Sequence, residues 1–248
     1  MKKIVGQIPN FITSLNLLSG SLAVIFAIDG HLIWAGVFIC FAAVFDFMDG
    51  LAARLLHAYS EVGKQLDSLA DVVSFGLAPG AILFTLFEFS LFDKNLPVYE
   101  ISGQWYEWLI LFSAFLIPVF GAIRLARFNS SFSEEPFFRG LPIPANALLW
   151  ASLGLILQFP GNEKLFQLVF NTKNLLFLGV FTSGMMVINL PMFSLKIKSL
   201  SVKENWYRYI FLLLSGAMII IFKAYGLALS IFLYIILNVV FYLTKVDF

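Results

Sequence analysis

About eight apolar stretches, each near 20 residues long, follow one another along this chain with only short polar connectors between them: 9–29, 32–53, 65–89, 106–126, 142–160, 175–195, 207–223 and 225–243. A helix of that length crosses the ~30 Å hydrocarbon core of a bilayer. Backbone N–H and C=O groups in lipid must be satisfied within the spanning segments, which for stretches of this kind means helices. Composition agrees, with 60% hydrophobic and 12% charged residues where soluble domains carry about 25% charged. The expectation is an all-α, polytopic membrane helix bundle with about eight transmembrane helices. The polar connectors at 90–105, 128–141 and 196–206 are too short for a soluble domain, so residues 1–248 read as one membrane domain. The last two stretches are separated least, because Lys223 and Gly226 leave little room for a turn.

Cations are enriched in cytoplasmic loops. Of the 16 Lys and Arg, one face receives Lys2, Lys3, Arg54, Lys64, Arg124, Arg127, Arg139, Lys196, Lys198, Lys203, Arg208 and Lys245. The other receives only Lys94, Lys164, Lys173 and Lys223. N- and C-termini are therefore expected in the cytoplasm. Lys2 and Lys3 precede an apolar run without a small-residue cleavage site, which reads as an uncleaved first helix. Cys40 is the only cysteine and lies in a span, which excludes disulfides and thiolate metal sites. His31 and His57 read as surface loop residues. Trp34, Trp105, Trp108, Trp150 and Trp206 are expected at span ends as interfacial anchors. Pro9 fits the first turn of a helix, with Asn10 bonding nearby backbone.

Against this background four acids stand out. Asp46, Asp49, Asp67 and Asp71 fall at the ends of the second and third stretches, where a charge at mid-bilayer costs about 3 kcal/mol. Residues three or four apart share a helix face, so Asp46 and Asp49 project together, as do Asp67 and Asp71. A turn near 55–62 lets all four converge. Oxygen-only ligands in this number suit Mg²⁺ or Mn²⁺, and paired metals serve displacement at phosphorus. Gly50 and Gly63 each lie one turn from an acid and remove a side chain where a bulky ligand approaches. Arg54 is placed to grip phosphate with its planar fork. Alternatively the acids could relay cations in a transporter or pair with Arg54 and Lys64, and the glycines could be packing contacts.

The run Asp46-Phe47-Met48-Asp49-Gly50-Leu51-Ala52-Ala53-Arg54, then eight residues, then Gly63-Lys64-Gln65-Leu66-Asp67-Ser68-Leu69-Ala70-Asp71 resembles the signature of the CDP-alcohol phosphotransferases at every fixed position. The resemblance implies that catalysis is centred on 46–71. It implies that Asp46, Asp49, Asp67 and Asp71 hold two divalent metal ions, Mg²⁺ or Mn²⁺, with Asp71 also the general base. It implies CDP-lipid binding by Gly50, Arg54, Ser60 and Gly63, and by Asn10 and Thr13 of the lead-in that starts at Pro9; Ser60 could equally be an ordinary loop hydroxyl.

Two further segments, Arg124-Leu125-Ala126-Arg127-Phe128-Asn129 and Phe138 to Ala147, look like those of the bacterial and archaeal phosphatidylserine synthases. Ile143 and Asn146 replace the usual small residues there. This likeness implies transfer from CDP-diacylglycerol to L-serine by direct displacement, with Arg124, Arg127, Asn129 and Arg139 as acceptor-binding candidates. It also implies a homodimer in a bacterial-type cytoplasmic (inner) membrane, its site facing the cytoplasm, with membrane lipid and no nucleic acid as partners. Arg124 and Arg127 could instead be positive-inside anchors. Within the class, glycerol 3-phosphate or inositol phosphate could be the acceptor; outside it, a divalent-cation transporter remains the alternative. Residues 148–248 carry no motif.

Overall fold

A computed structural model describes residues 6–130, 138–159, 161, 163–193 and 202–244. Lys2, Lys3, Lys196, Lys198 and Lys245, on which the charge asymmetry partly rests, lie outside the described residues.

The chain is a helical bundle. α1 spans Ile8–Ile28, α2 Leu32–Leu55 and α3 Glu61–Asp71; a π-helical turn, Val72–Leu77, joins α3 to α4, Ala78–Phe92. α5 (Trp105–Ser113) and α6 (Leu116–Ser130) follow, then α7 (Ile143–Gln158), α8 (Glu163–Val169), α9 (Thr172–Val187), α10 (Val202–Phe222) and α11 (Ala224–Thr244). Strands β1 (Phe138–Arg139) and β2 (Pro191–Met192) form an antiparallel pair in register Phe138 to Met192.

Each of the eight apolar stretches holds a helix among the described residues, though the sixth ends its helix at Val187 and runs on into β2. Among the described residues, six helical segments are long and apolar enough to cross a membrane, counting α3 to α4 and α5 to α6 as one each. A seventh candidate is the α8–α9 pair, bent by 60° where Asn171 caps α9 by accepting from the Lys173 N–H at 3.0 Å. The remaining stretch, α7, has 16 residues and spans about 24 Å at 1.5 Å per residue, short of a full crossing.

α4 is the centre of the bundle: every residue from Ala78 to Glu88 is buried, as expected of a helix apolar on all sides. Its contact with α6 follows from sequence. Pro118 has no N–H to give the carbonyl of Ala114, and the chain breaks there into i→i−3 bonds, Phe115 to Phe112 and Ile117 to Ala114. Gly76 and Gly80 face this break. A Cβ on either would come within 3.2 or 3.1 Å of Pro118, so small residues four apart permit backbone-to-backbone packing.

Trp150 is a correction. It is wholly buried in the middle of α7 and is a core residue rather than an interfacial anchor. Trp34, Trp105 and Trp206 are exposed as expected. The C-terminal hairpin wraps Phe193, whose ring meets those of Tyr207, Phe211 and Tyr234. Its N–H donates to Asn238 Oδ1 at 2.8 Å and its carbonyl accepts from the Tyr234 hydroxyl at 2.8 Å.

Candidate active site

α1, α2 and α3 meet around the acids, and the local sequence explains how. After α2 the chain turns through His57, which adopts the left-handed region at φ 51°. Ser60 then caps α3, its Oγ accepting from the Gly63 N–H at 3.0 Å. The reversal brings Asp46, Asp49 and Asp67 together: each offers a carboxylate oxygen within 4.8 Å of the other two. Asp49 is 5% exposed, and its Oδ2 is buried without a hydrogen-bond partner. A buried carboxylate left so is costly unless a cation completes it. Three hard oxygen donors at this separation fit a divalent metal ion, and the cluster could hold one.

Beside the cluster lies a cleft of about 430 Å³, within the usual range for a small-molecule site. Asn10, Thr13, Gly50, Arg54, Ser60 and Gly63 all line it, together with Asp49 and Asp67. Residues 6–191 match the CDP-alcohol phosphatidyltransferase family, which decides the class. The chain belongs to that family. It is 31% identical to a CDP-diacylglycerol–serine O-phosphatidyltransferase of Helicobacter pylori J99, over 97% of this chain and 94% of that protein. It is 36% identical to the Bacillus subtilis protein of the same name over 56% of this chain and 70% of the relative. An archaetidylserine synthase of Methanothermobacter thermautotrophicus is 32% identical over 62% of this chain and 61% of the relative.

Within this family frame the individual residues divide. Gly50 is open: a Cβ there would meet only Arg54 Nη2, at 3.9 Å. Gly63 is not. Its Cβ would fall 2.8 Å from Asn10 Oδ1 and 2.9 Å from Ser60 Oγ, so Gly63 makes room for two side chains of the protein where it lines the cleft. Arg54 is exposed and anchored through Nε to the Gly50 carbonyl at 3.0 Å, which leaves its terminal nitrogens toward the cleft it lines. Asn10 bonds the Gln7 side chain, Nδ2 to Oε1 at 3.1 Å, not backbone as expected.

Asp71 is outside the three-acid cluster. It closes α3 immediately before the π-helical turn and accepts from Asn16 Nδ2 at 3.5 Å, near enough to Asp46 and Asp67 to interact with their charges. Of the acceptor-binding candidates, Arg124 lies near enough to Asp71 to feel its charge. It is half-buried, and its Nε lacks a partner among the described residues. Arg127 donates to the Val187 carbonyl at 3.1 Å and Asn129 to Ser68 Oγ at 2.7 Å, so both tie helices together. Arg139 sits exposed on β1. The two departures in α7 are absorbed by packing: Ile143 lies against Gly121, and Asn146, fully buried, donates to Met186 Sδ at 3.8 Å.

Sequence reasoning missed Asn16. It had a signal, because Asn10, Thr13 and Asn16 recur at three-residue spacing along an otherwise apolar helix and so share a face.

Proposed function

We propose that this chain transfers the phosphatidyl group of CDP-diacylglycerol to the hydroxyl of L-serine, giving phosphatidylserine and CMP. One observation carries the reading: a three-carboxylate cluster walls a cleft lined by all six residues expected to bind a CDP-lipid, in a chain similar end to end to a serine phosphatidyltransferase.

Asp46, Asp49 and Asp67, with Asp71 adjacent, would hold two divalent cations, Mg²⁺ or Mn²⁺. Bound there, such ions neutralise the diphosphate and make its phosphorus more electrophilic. Arg54 supplies a second positive group for the phosphates, in the forked geometry that suits them, and Gly50 leaves room beside it. Asn10, Thr13, Ser60 and Gly63 frame the nucleotide end. Asp71 takes the proton of the serine hydroxyl; its oxygen bonds to the lipid-linked phosphorus while the bond to CMP breaks. Arg124 receives the serine carboxylate, with Arg127, Asn129 and Arg139 as the further acceptor-binding residues. Cytoplasmic placement of the site and of both termini follows from the cation asymmetry. The protein works as a homodimer in a bacterial-type cytoplasmic membrane, and 1–248 acts as one domain.

The test is CMP release by the detergent-purified protein with CDP-diacylglycerol and one acceptor at a time, with and without Mg²⁺ or Mn²⁺, and product analysis with labelled serine. Metal-dependent CMP release with serine is expected. Release only with glycerol 3-phosphate or inositol phosphate would replace the acceptor; cation flux into liposomes without any turnover would replace the enzyme by a transporter. A finer check uses Gly63→Ala. It should displace Asn10 and the Ser60 cap, raising the KM for CDP-diacylglycerol roughly fivefold, the equivalent of a cap-strength interaction of about 1 kcal/mol, with kcat nearly unchanged.

A further inference from the structure

The first span of this protein does more than cross the membrane, because it grips the segment that carries Asp71. Asn16 is wholly buried. Its side-chain amide donates to Asp71 Oδ1 at 3.5 Å, while its main-chain carbonyl accepts from Ser74 Oγ at 3.0 Å. Ser74 is also wholly buried, and it lies within the π-helical turn that starts at the residue after Asp71. Gly20, one turn beyond Asn16, makes the contact possible: a Cβ there would fall 2.1 Å from Ser74 Oγ and 2.5 Å from Ser74 Cα. α1 is thus in backbone contact with the π-helical turn, and Asn16 spans from that contact to the carboxylate.

The π-helical turn explains why such a grip is useful. Its wider i→i+5 pattern inserts a residue into the helical phase. The face that carries Asp67 and Asp71 is thereby set independently of the face that α4 buries.

We propose that Asn16 is a positioning residue for Asp71: its amide holds one carboxylate oxygen and leaves the other for the acceptor hydroxyl proton, while Ser74 fixes Asn16 on the π-helical turn. The proposal rests on the reading of Asp71 as the base. It assigns to Asn16 no contact with substrate or metal.

The experiment uses full-length protein in detergent, with CDP-diacylglycerol, serine and Mn²⁺. Asn16→Leu keeps the size of the side chain and removes its amide. It should lower kcat roughly 30-fold, a fraction of what a general base contributes. The KM for CDP-diacylglycerol and the Mn²⁺ affinity, read by electron paramagnetic resonance without turnover, should stay within about twofold. In an Asp71→Asn background the same change should cost nothing further, since residues acting through one another are not additive. An unchanged kcat, or a loss that persists undiminished in the Asp71→Asn background, overturns the proposal. A parallel fall in Mn²⁺ affinity also overturns it, by making Asn16 a support of the metal cage. Should Asn16→Leu fail to fold, Ser74→Ala keeps the amide but frees its tether, and must reproduce the loss of kcat in milder form or the proposal falls. Full activity of Asp71→Asn by itself would instead remove the reading of Asp71 as base, so the two failures are distinguishable.

Discussion

Asp49→Asn is expected to lower metal-dependent CMP release by at least about a thousandfold, some 4 kcal/mol of transition-state stabilisation, while the metal-free protein melts no lower than the parent. Both halves come from the same geometry. Asp46, Asp49 and Asp67 hold carboxylate oxygens within 4.8 Å of one another, and like charges at that separation repel by about 3 kcal/mol per pair near a protein surface. Asp49 is the buried member, with Oδ2 unpartnered. Without a cation this arrangement destabilises the fold, so removing one charge relieves it; with a cation the same charge is a ligand, so removing it weakens binding. Mn²⁺ titration followed by electron paramagnetic resonance, and thermal unfolding in EDTA, separate the two effects. A variant that melts well below the parent in EDTA yet still binds Mn²⁺ would make Asp49 a structural residue. Asp67→Asn should lose activity in the same way while the protein still inserts.

The largest expected effect on stability lies far from the acids, at Gly226→Ala. α10 and α11 are joined through Lys223 alone, which takes the left-handed region at φ 54°. So tight a reversal forces the two helices into backbone contact. A Cβ on Gly226 would lie 2.0 Å from the Met218 carbonyl oxygen and 2.7 Å from Ile219 Cα, and backbone cannot step aside as a side-chain tip can. The substitution should cost about 3 kcal/mol, a fall in melting temperature in detergent of about 10 °C. Gly216→Ala is the control. That glycine also lies within α10, but a Cβ there meets nothing within 4 Å, so alanine should leave the melting temperature unchanged or raise it through its better helix propensity. Equal losses at both positions would mean that general helix effects, not the close approach, set the outcome.

Much of the fold was legible because lipid leaves so few options. Each of the eight apolar stretches holds a helix among the described residues, since a spanning backbone must satisfy itself locally. The acids were legible as a site because i, i+3 and i, i+4 spacing is itself a statement about geometry; Asp46, Asp49 and Asp67 converge as their spacing required. Trp150 was misread because a tryptophan in an apolar run has the same appearance whether it faces headgroups or a neighbouring helix. What lies beside Gly63 was hidden for a related reason: nothing local says that Asn10, from another helix, approaches the side it leaves open. That Arg127 and Asn129 bond Val187 and Ser68, partners some 60 residues away, could not be read from local pattern.

The sequence by itself determined the helices, the family signature and the acids that face one another, because these depend on length, polarity and spacing within single segments. Only the tertiary structure decided that Asp71 stands apart from the three-acid cluster, that Asn16 and Ser74 hold it beside a π-helical turn, and that Arg124 lies near it. Those relations join α1, α3, α4 and α6, and they depend on how closely backbones approach at Gly20, Gly76 and Gly80. Contacts of that kind are set by packing between segments distant in the chain, which no local pattern encodes.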